Sequence, residues 1–337
     1  MKLYVDIEKK LENFNLKVNF ETDSEIFALL GASGCGKTMT LKCIAGIETP
    51  DIGVINLGGR VLFDSEAGIN LPIRKRRIGY LFQDYALFPH MTVMENIVCG
   101  GRQRAEEYIK KFYLSGKENI YPAHLSGGEK QRTAIARMLA ASPDLIMFDE
   151  PLSAVDSYLK SELEAEILTA AEEFGGQALI VSHDMGEIYR LSERVAVIEN
   201  GKISAIQTKN ELFEAPASAA AARLMGYENI SNIKLNSNGN YVAEDWGITV
   251  KALRRGPYKY AAVRGEDIIV SSSLPSCEGG FVKVRTKAVI KDIDGFIIKF
   301  ISPRGHMMTA RLKEELPSST EEVYIKIPDE KILLFIM

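Results

Sequence analysis

Apolar positions along this chain follow two regimes, and the change comes near residue 226. Before it, short apolar runs alternate with longer stretches whose apolar residues recur at helical spacing. Ile26–Leu30, Arg77–Phe82, Leu145–Phe148 and Ala178–Val181 read as buried strands. Thr38–Gly46, Glu129–Ala141 and roughly Ser157–Phe174 read as helices. In the second of these, Ala134, Ile135, Met138 and Leu139 share one face. This alternation predicts an α/β domain over 1–226 with a mainly parallel sheet. Arg194–Glu199 and Lys202–Gln207 flank Asn200-Gly201, a hairpin signal. The low-complexity run Ala215–Ala222 reads as a short surface helix bridging the two regions. Beyond Gly226 the helices thin out. Thr249–Leu253, Tyr260–Val263, Phe281–Ile290, Phe296–Ile301 and Val323–Ile327 read as strands, with a second turn at Asp294-Gly295. A small all-β domain, a partly closed barrel, is expected over 227–337.

Composition narrows the function classes. A length of 337 residues suits about two domains. With 46% apolar and 26% charged residues, the chain is neither disordered nor collagen-like. Forty-one basic against 45 acidic residues leave a net charge of −4, so no nucleic-acid partner is expected. The basic run Arg74–Arg77 reads as a solvated rim. Cys35, Cys43, Cys99 and Cys277 lack metal-ligand spacing, which predicts a reducing compartment and no disulfide framework. Met1–Lys10 alternates charge with apolar residues, unlike a signal peptide. No uncharged apolar run approaches the ~18–20 residues that span a bilayer. The expectation is a chain that neither crosses a membrane nor is exported.

Three segments carry chemistry. Gly31-Ala32-Ser33-Gly34-Cys35-Gly36-Lys37-Thr38 fits the phosphate loop G-x-x-x-x-G-K-[ST], between an apolar strand and a helix. Its backbone N–H groups would cradle phosphates, Lys37 would reach the β- and γ-phosphates, and Thr38 would ligate Mg²⁺. The helix end adds its dipole, and it could lower the pKa of Cys35. Leu145–Phe148 leads into Asp149-Glu150, so Asp149 is placed to hold Mg²⁺ and Glu150 to polarise the attacking water. On an extended segment the two carboxylates would point to different sides. Leu125-Ser126-Gly127-Gly128-Glu129-Lys130-Gln131-Arg132 places a serine and two glycines before a helix, a second anion site.

This last segment resembles the signature of the ATP-binding cassette (ABC) ATPases, with Glu129 where Gln is commoner. The resemblance implies a P-loop ABC cassette with a helical subdomain, working as a head-to-tail dimer. Each ATP would lie between one copy's Lys37 loop and the partner copy's Ser126, Gly127, Gly128 and Glu129. It further implies that Gln83 contacts Mg²⁺ or water and senses the γ-phosphate. Ser153-Ala154-Val155-Asp156 is similar to the D-loop at the dimer interface. His183 resembles the switch histidine that holds the γ-phosphate and orients Glu150. An aromatic residue usually stacks on adenine; Phe14 and Tyr4 are the candidates, and a core role suits each equally.

Phe82–Asn96 resembles importer ATPases, whose helical subdomain, here 84–124 with Arg102–Tyr113 as its main helix, receives a transmembrane subunit. Its apolar cluster Ala86–Val93 suits docking or local packing. Gly58–Asp64 and Gly68–Pro72 look most like molybdate and tungstate importers. Val263–Ile268 resembles an element of their appended TOBE-type (OB-like) domain, with Gly265 in place of Pro, and Ser271–Ser273 is the local anion candidate. The expected protein is an ATPase at the cytoplasmic face of the membrane, with permease subunits and, indirectly, an external substrate-binding protein as partners. Sulfate, iron(III), polyamine and sugar importers use similar subunits. A soluble ABC clamp and an oxyanion sensor are the alternatives from other classes.

Overall fold

The computed structural model describes all residues except 13, 24, 25, 154–156, 238, 239, 251–255, 276–279, 315–320 and 337. The first part runs β1 (Leu3–Lys10), β2 (Asn15–Thr22), β3 (Ile26–Leu30), α1 (Lys37–Ala45), β4 (Ile52–Leu57), β5 (Arg60–Asp64) and β6 (Ile69–Asn70). It continues through α2 (Ile73–Arg76), β7 (Ile78–Leu81), α3 (Val93–Gly100), α4 (Arg102–Lys111) and α5 (Gly127–Ala140). Then come β8 (Leu145–Asp149), α6 (Ser157–Phe174), β9 (Ala178–Ser182), α7 (Met185–Leu191), β10 (Arg194–Glu199) and β11 (Lys202–Thr208).

Among the described residues these strands form one sheet in the order β6-β5-β4-β1-β2-β11-β10-β3-β9-β8-β7. Its two halves differ. From β6 to β2 every pairing is antiparallel, whereas β10-β3-β9-β8-β7 is parallel throughout. The mainly parallel sheet read from the sequence is therefore only half of it. The antiparallel half rests on β1 and β2, eight-residue strands in which buried residues alternate with partly buried ones in β1 and with exposed ones in β2. In the parallel half β3, β8 and β9 are buried at every position, as continuous apolar runs require. Their register aligns Leu30 with Ser182 and Asp149 with Val181, so their carboxyl ends share one edge of the sheet. That edge is where open α/β sheets bind ligands. α3, α4 and α5 pack on one another as a helical layer, and α5 also reaches α6 and β7.

By contacts, the chain divides into Met1–Asn210 and Glu211–Met337, earlier than the 226 read from the sequence. The shift has a local cause: α8 (Lys209–Glu214) is followed by α9 (Ala219–Leu224), which packs on β15 (Tyr260–Val263) of the second unit. Ala220, Ala221 and Ala222 are buried, so this run is no surface linker.

The second unit contains two five-stranded antiparallel sheets among its described residues. One is built on β12 (Asn229–Leu235), β13 (Tyr241–Ala243), β14 (Ile248–Val250), β15 and the last strand, Leu333–Phe335. The other centres on the Val282–Asp292 and Gly295–Ile301 hairpin. Trp246, Val263, Ile298, Phe300 and Ile325 form their shared core. Among the described residues no helix is long and apolar enough to cross a membrane.

Candidate active site

The loop between β3 and α1 is shaped by its glycines. Gly34 and Gly36 hold φ of 78° and 112°, which other residues adopt at a cost. Gly31 is fixed by space: a Cβ there would lie 2.3 Å from the Ile198 carbonyl oxygen. Lys37 is buried, and its Nζ donates to the carbonyls of Gly31 at 2.8 Å and Ala32 at 3.0 Å. The ammonium thus closes the loop on itself through two backbone carbonyls.

Asp149 and Glu150 stand at the end of β8, but not as two positions of one extended segment. Glu150 has φ 45° and its N–H donates to the Val181 carbonyl. A non-glycine residue in this region stores about 1–3 kcal/mol of strain. The kink separates the carboxylates. Asp149 accepts from Thr38 Oγ1 at 2.8 Å and from the Tyr80 hydroxyl at 2.7 Å. Glu150 instead lies 3.8 Å from Lys37 Nζ and 3.4 Å from His183 Nδ1. Burial and the Asp149 carboxylate together push the Tyr80 phenol well above its usual range, so it stays a hydrogen-bond donor.

His183 is held in place by its neighbours. Asp184 caps α7 by accepting from the N–H groups of Gly186 and Glu187. Ser182 Oγ donates to Glu187 at 2.7 Å and accepts from the Asp184 N–H at 2.9 Å. The imidazole between them is half exposed, facing Glu150. Gln83 donates to Ser153 Oγ at 2.8 Å, and that hydroxyl donates to the Glu150 carbonyl at 2.9 Å. Residues 31–38, 83, 149, 150 and 183 are therefore brought together in one region.

Ser126, Gly127, Gly128 and Glu129 form a separate station. Ser126 and Glu129 make a reciprocal capping box, with the Ser126 N–H donating to Glu129 at 2.8 Å. Glu129 also pairs with Lys117 at 3.2 Å. The Ser126 N–H and then Lys117 hold its carboxyl below the usual range. Ser126 and Gly127 are exposed, and a Cβ on Gly127 would meet nothing within 4 Å. This helix end faces open space.

Some expectations change. Cys35 is buried, and desolvation raises its thiol pKa despite Lys37, the reverse of an activated cysteine. Arg76, read as solvated, is fully buried; its guanidinium donates to the carbonyls of Leu71, Cys43 and Ile44 and to Asn70, each at 2.8 Å. It caps the C-terminus of α1. Phe14 packs on the core of the first unit, and the Tyr4 hydroxyl faces Asp6. Ser271 bonds back to Ser273 in an exposed turn. Asp156 lies outside the described residues. Tyr80 was missed; a tyrosine inside an apolar strand is the signal that could have found it.

An iron(III) import ATP-binding protein of Brucella abortus (strain 2308) is 36% identical over 338 residues, covering 94% of this chain and 93% of that protein. This chain belongs to the ATP-binding subunits of ABC importers. The family described as ABC transporter matches residues 11–153 of the importer subunit. A molybdenum import ATP-binding protein of Paramagnetospirillum magneticum is 42% identical, but over 211 residues, 60% of this chain and 58% of that protein. A spermidine/putrescine import ATP-binding protein of Nitratidesulfovibrio vulgaris is 31% identical across 96% of this chain and 84% of that protein. A solved ATP-binding cassette, a dimer in a post-hydrolysis state with ADP and Pi, superposes with a TM-score of 0.51 at 27% identity. It covers 62% of this chain and 99% of that one. The importer subunit is thus an ABC ATPase with an additional β unit.

Proposed function

We propose that two copies of this chain bind and hydrolyse two ATP molecules at shared sites, on the cytoplasmic face of a membrane, to drive a separate permease. The observation that carries this reading is the placement of Glu150 between Lys37 and His183, at 3.8 and 3.4 Å. A carboxylate there faces the γ-phosphate of an ATP whose phosphates fill the Gly31–Thr38 loop. It can accept a proton from the attacking water while His183 holds that water or the phosphate in line. Lys37 would exchange its carbonyl partners for phosphate oxygens, which suits a charge already buried and pre-aimed.

Among the described residues no three His, Cys, Asp or Glu side chains gather to hold a metal ion. Thr38 Oγ1 and Asp149 nevertheless present hard oxygen donors, which fit Mg²⁺ shared with nucleotide oxygens. Thr38, Asp149 and Gln83 would hold it, and when bound it would neutralise charge on the β- and γ-phosphates. The helix end at Ser126 and Gly127 would supply the partner copy's half of the site: both residues are exposed, and an incoming phosphate would take the place of the Glu129 carboxylate that now accepts from the Ser126 N–H. The solved dimeric cassette supports pairing.

Glu150→Gln tests the reading. Hydrolysis should fall at least about 100-fold, the scale of a general base, while ATP binding persists and a dimer accumulates. Near-normal turnover would sink the assignment. For the cargo, iron(III) is the first reading, since of the two relatives above that match over both units the one so named is 36% identical and the spermidine/putrescine one 31%. Molybdate or tungstate is the second, favoured by Gly58–Asp64 and by 42% identity within the cassette. Uptake of labelled iron(III), molybdate and spermidine by the reconstituted complex separates them.

A further inference from the structure

The mechanism above leaves Tyr80 without a role, yet its hydroxyl is aimed at the most buried carboxylate of the site. Asp149 has two side-chain partners, Thr38 at 2.8 Å on Oδ1 and Tyr80 at 2.7 Å on Oδ2. They are not equivalent. Thr38 stands in the phosphate loop and would turn its hydroxyl toward the metal when nucleotide arrives. Tyr80 stands on β7, which pairs in parallel register with β8, so that Tyr80 and Met147 are direct partners. Its ring is half-buried against the core of the first unit and packs on Phe82, with centroids 4.4 Å apart. It cannot follow Thr38. One carboxylate oxygen therefore stays occupied by a fixed donor and the other is left facing the loop.

We infer that Tyr80 is a positioning residue for the metal: by holding Oδ2 of Asp149, it fixes the carboxylate rotamer and presents Oδ1 to the Mg²⁺ that accompanies the nucleotide. Ligands of this kind are oriented by hydrogen bonds from behind, and removing such a partner typically weakens metal binding 10–100-fold. The effect belongs to the metal, not to the phosphates, because Tyr80 has no contact with the Gly31–Thr38 backbone among its described hydrogen bonds. The inference rests on the ATPase reading of the site.

The test is metal binding read directly, without turnover. The full-length chain is saturated with ADP in metal-free buffer and titrated with Mn²⁺, free ion being followed by electron paramagnetic resonance. Mg²⁺ competition then gives its affinity. Tyr80→Phe removes only the hydroxyl. It should weaken Mn²⁺ and Mg²⁺ binding about tenfold, while the affinity for ADP in EDTA stays at the wild-type value. Tyr80→Met, apolar and flexible enough to fill the site, should show the same loss. Wild-type metal affinity in both variants would overturn the inference. An equal loss of ADP affinity in EDTA would also overturn it, since that marks a general disturbance of the loop. A wild-type chain that binds no ADP at all would fail the ATPase reading instead, so the two failures are distinguishable.

Discussion

At the residue scale, the side chains that were hardest to read are those whose roles depend on where they turn. Arg74–Arg77 offers four adjacent basic residues, and no periodicity says which one goes inward. Arg76 does, because the end of α1 leaves carbonyls without partners and Gly46, at φ 80°, ends that helix against the guanidinium. Arg76→Ala should cost about 3 kcal/mol, since it empties a fully buried side-chain site and takes the donor from the buried Ile44 carbonyl. A urea unfolding midpoint at the wild-type value would refute that. Cys35 is a second case. Its place at a helix end left open a lowered pKa beside the reading of a small tolerated residue, and burial, which outweighs the nearby Lys37, favours the latter. Native protein treated with a thiol reagent at neutral pH should leave Cys35 unmodified while exposed Cys99 reacts. Peptide mapping reads this, and early labelling at Cys35 would contradict it. By contrast Lys37, Thr38, Asp149 and Glu150 stood out because phosphate chemistry favours fixed residue types at fixed spacing, His183 stood out only through the family resemblance, and the structure brings all five together. Tyr80 was not, because its partner is 69 positions away on a neighbouring strand.

At the element scale, the buried strands of the parallel half were read within a residue or so, since continuous apolar runs mark them. Starts and ends drifted where caps decide. α5 begins at Gly127, before its first periodic apolar residue, because Ser126 and Glu129 close a capping box there. α3 was not read as a helix, although Thr92 and Glu95 form the same box; its apolar residues merge with the exposed cluster before it. In the second unit the strands Met307–Leu312 and Leu333–Phe335 were missed; the second is only three residues long. The α5 box carries a pH dependence. The folded state lowers the Glu129 pKa, chiefly through the Ser126 N–H. Its charge therefore stabilises the fold above the unfolded value of about 4.3. That contribution is lost as pH falls through the lower folded value. Glu129→Gln should be less stable than wild type at pH 7, and the gap should close below about pH 4. Thermal melts across that range check it; a gap that widens on acidification would disprove the cap's charge.

At the scale of the whole molecule, two-regime patterning reported two units, yet it placed their division late. The alanine run carries no polarity contrast, so only its packing on β15 shows which unit owns it. Each unit has its own core, one around Leu29, Ile44 and Met147, the other around Trp246 and Phe300. Separate cores predict separate unfolding. Calorimetry of the full chain should resolve two transitions, and only the one carried by Met1–Asn210 should respond to nucleotide. At a hundredfold excess over Kd, a ligand adds about 2.7 kcal/mol, which raises the midpoint of a unit this size by several degrees. ADP with Mg²⁺ suits the measurement, since it is not turned over. Arg76→Ala should lower the same transition and leave the other in place, which assigns it without truncation. A single transition that moves as a whole with nucleotide would mean that the β unit unfolds only with the cassette, and two independent cores would then be the wrong description.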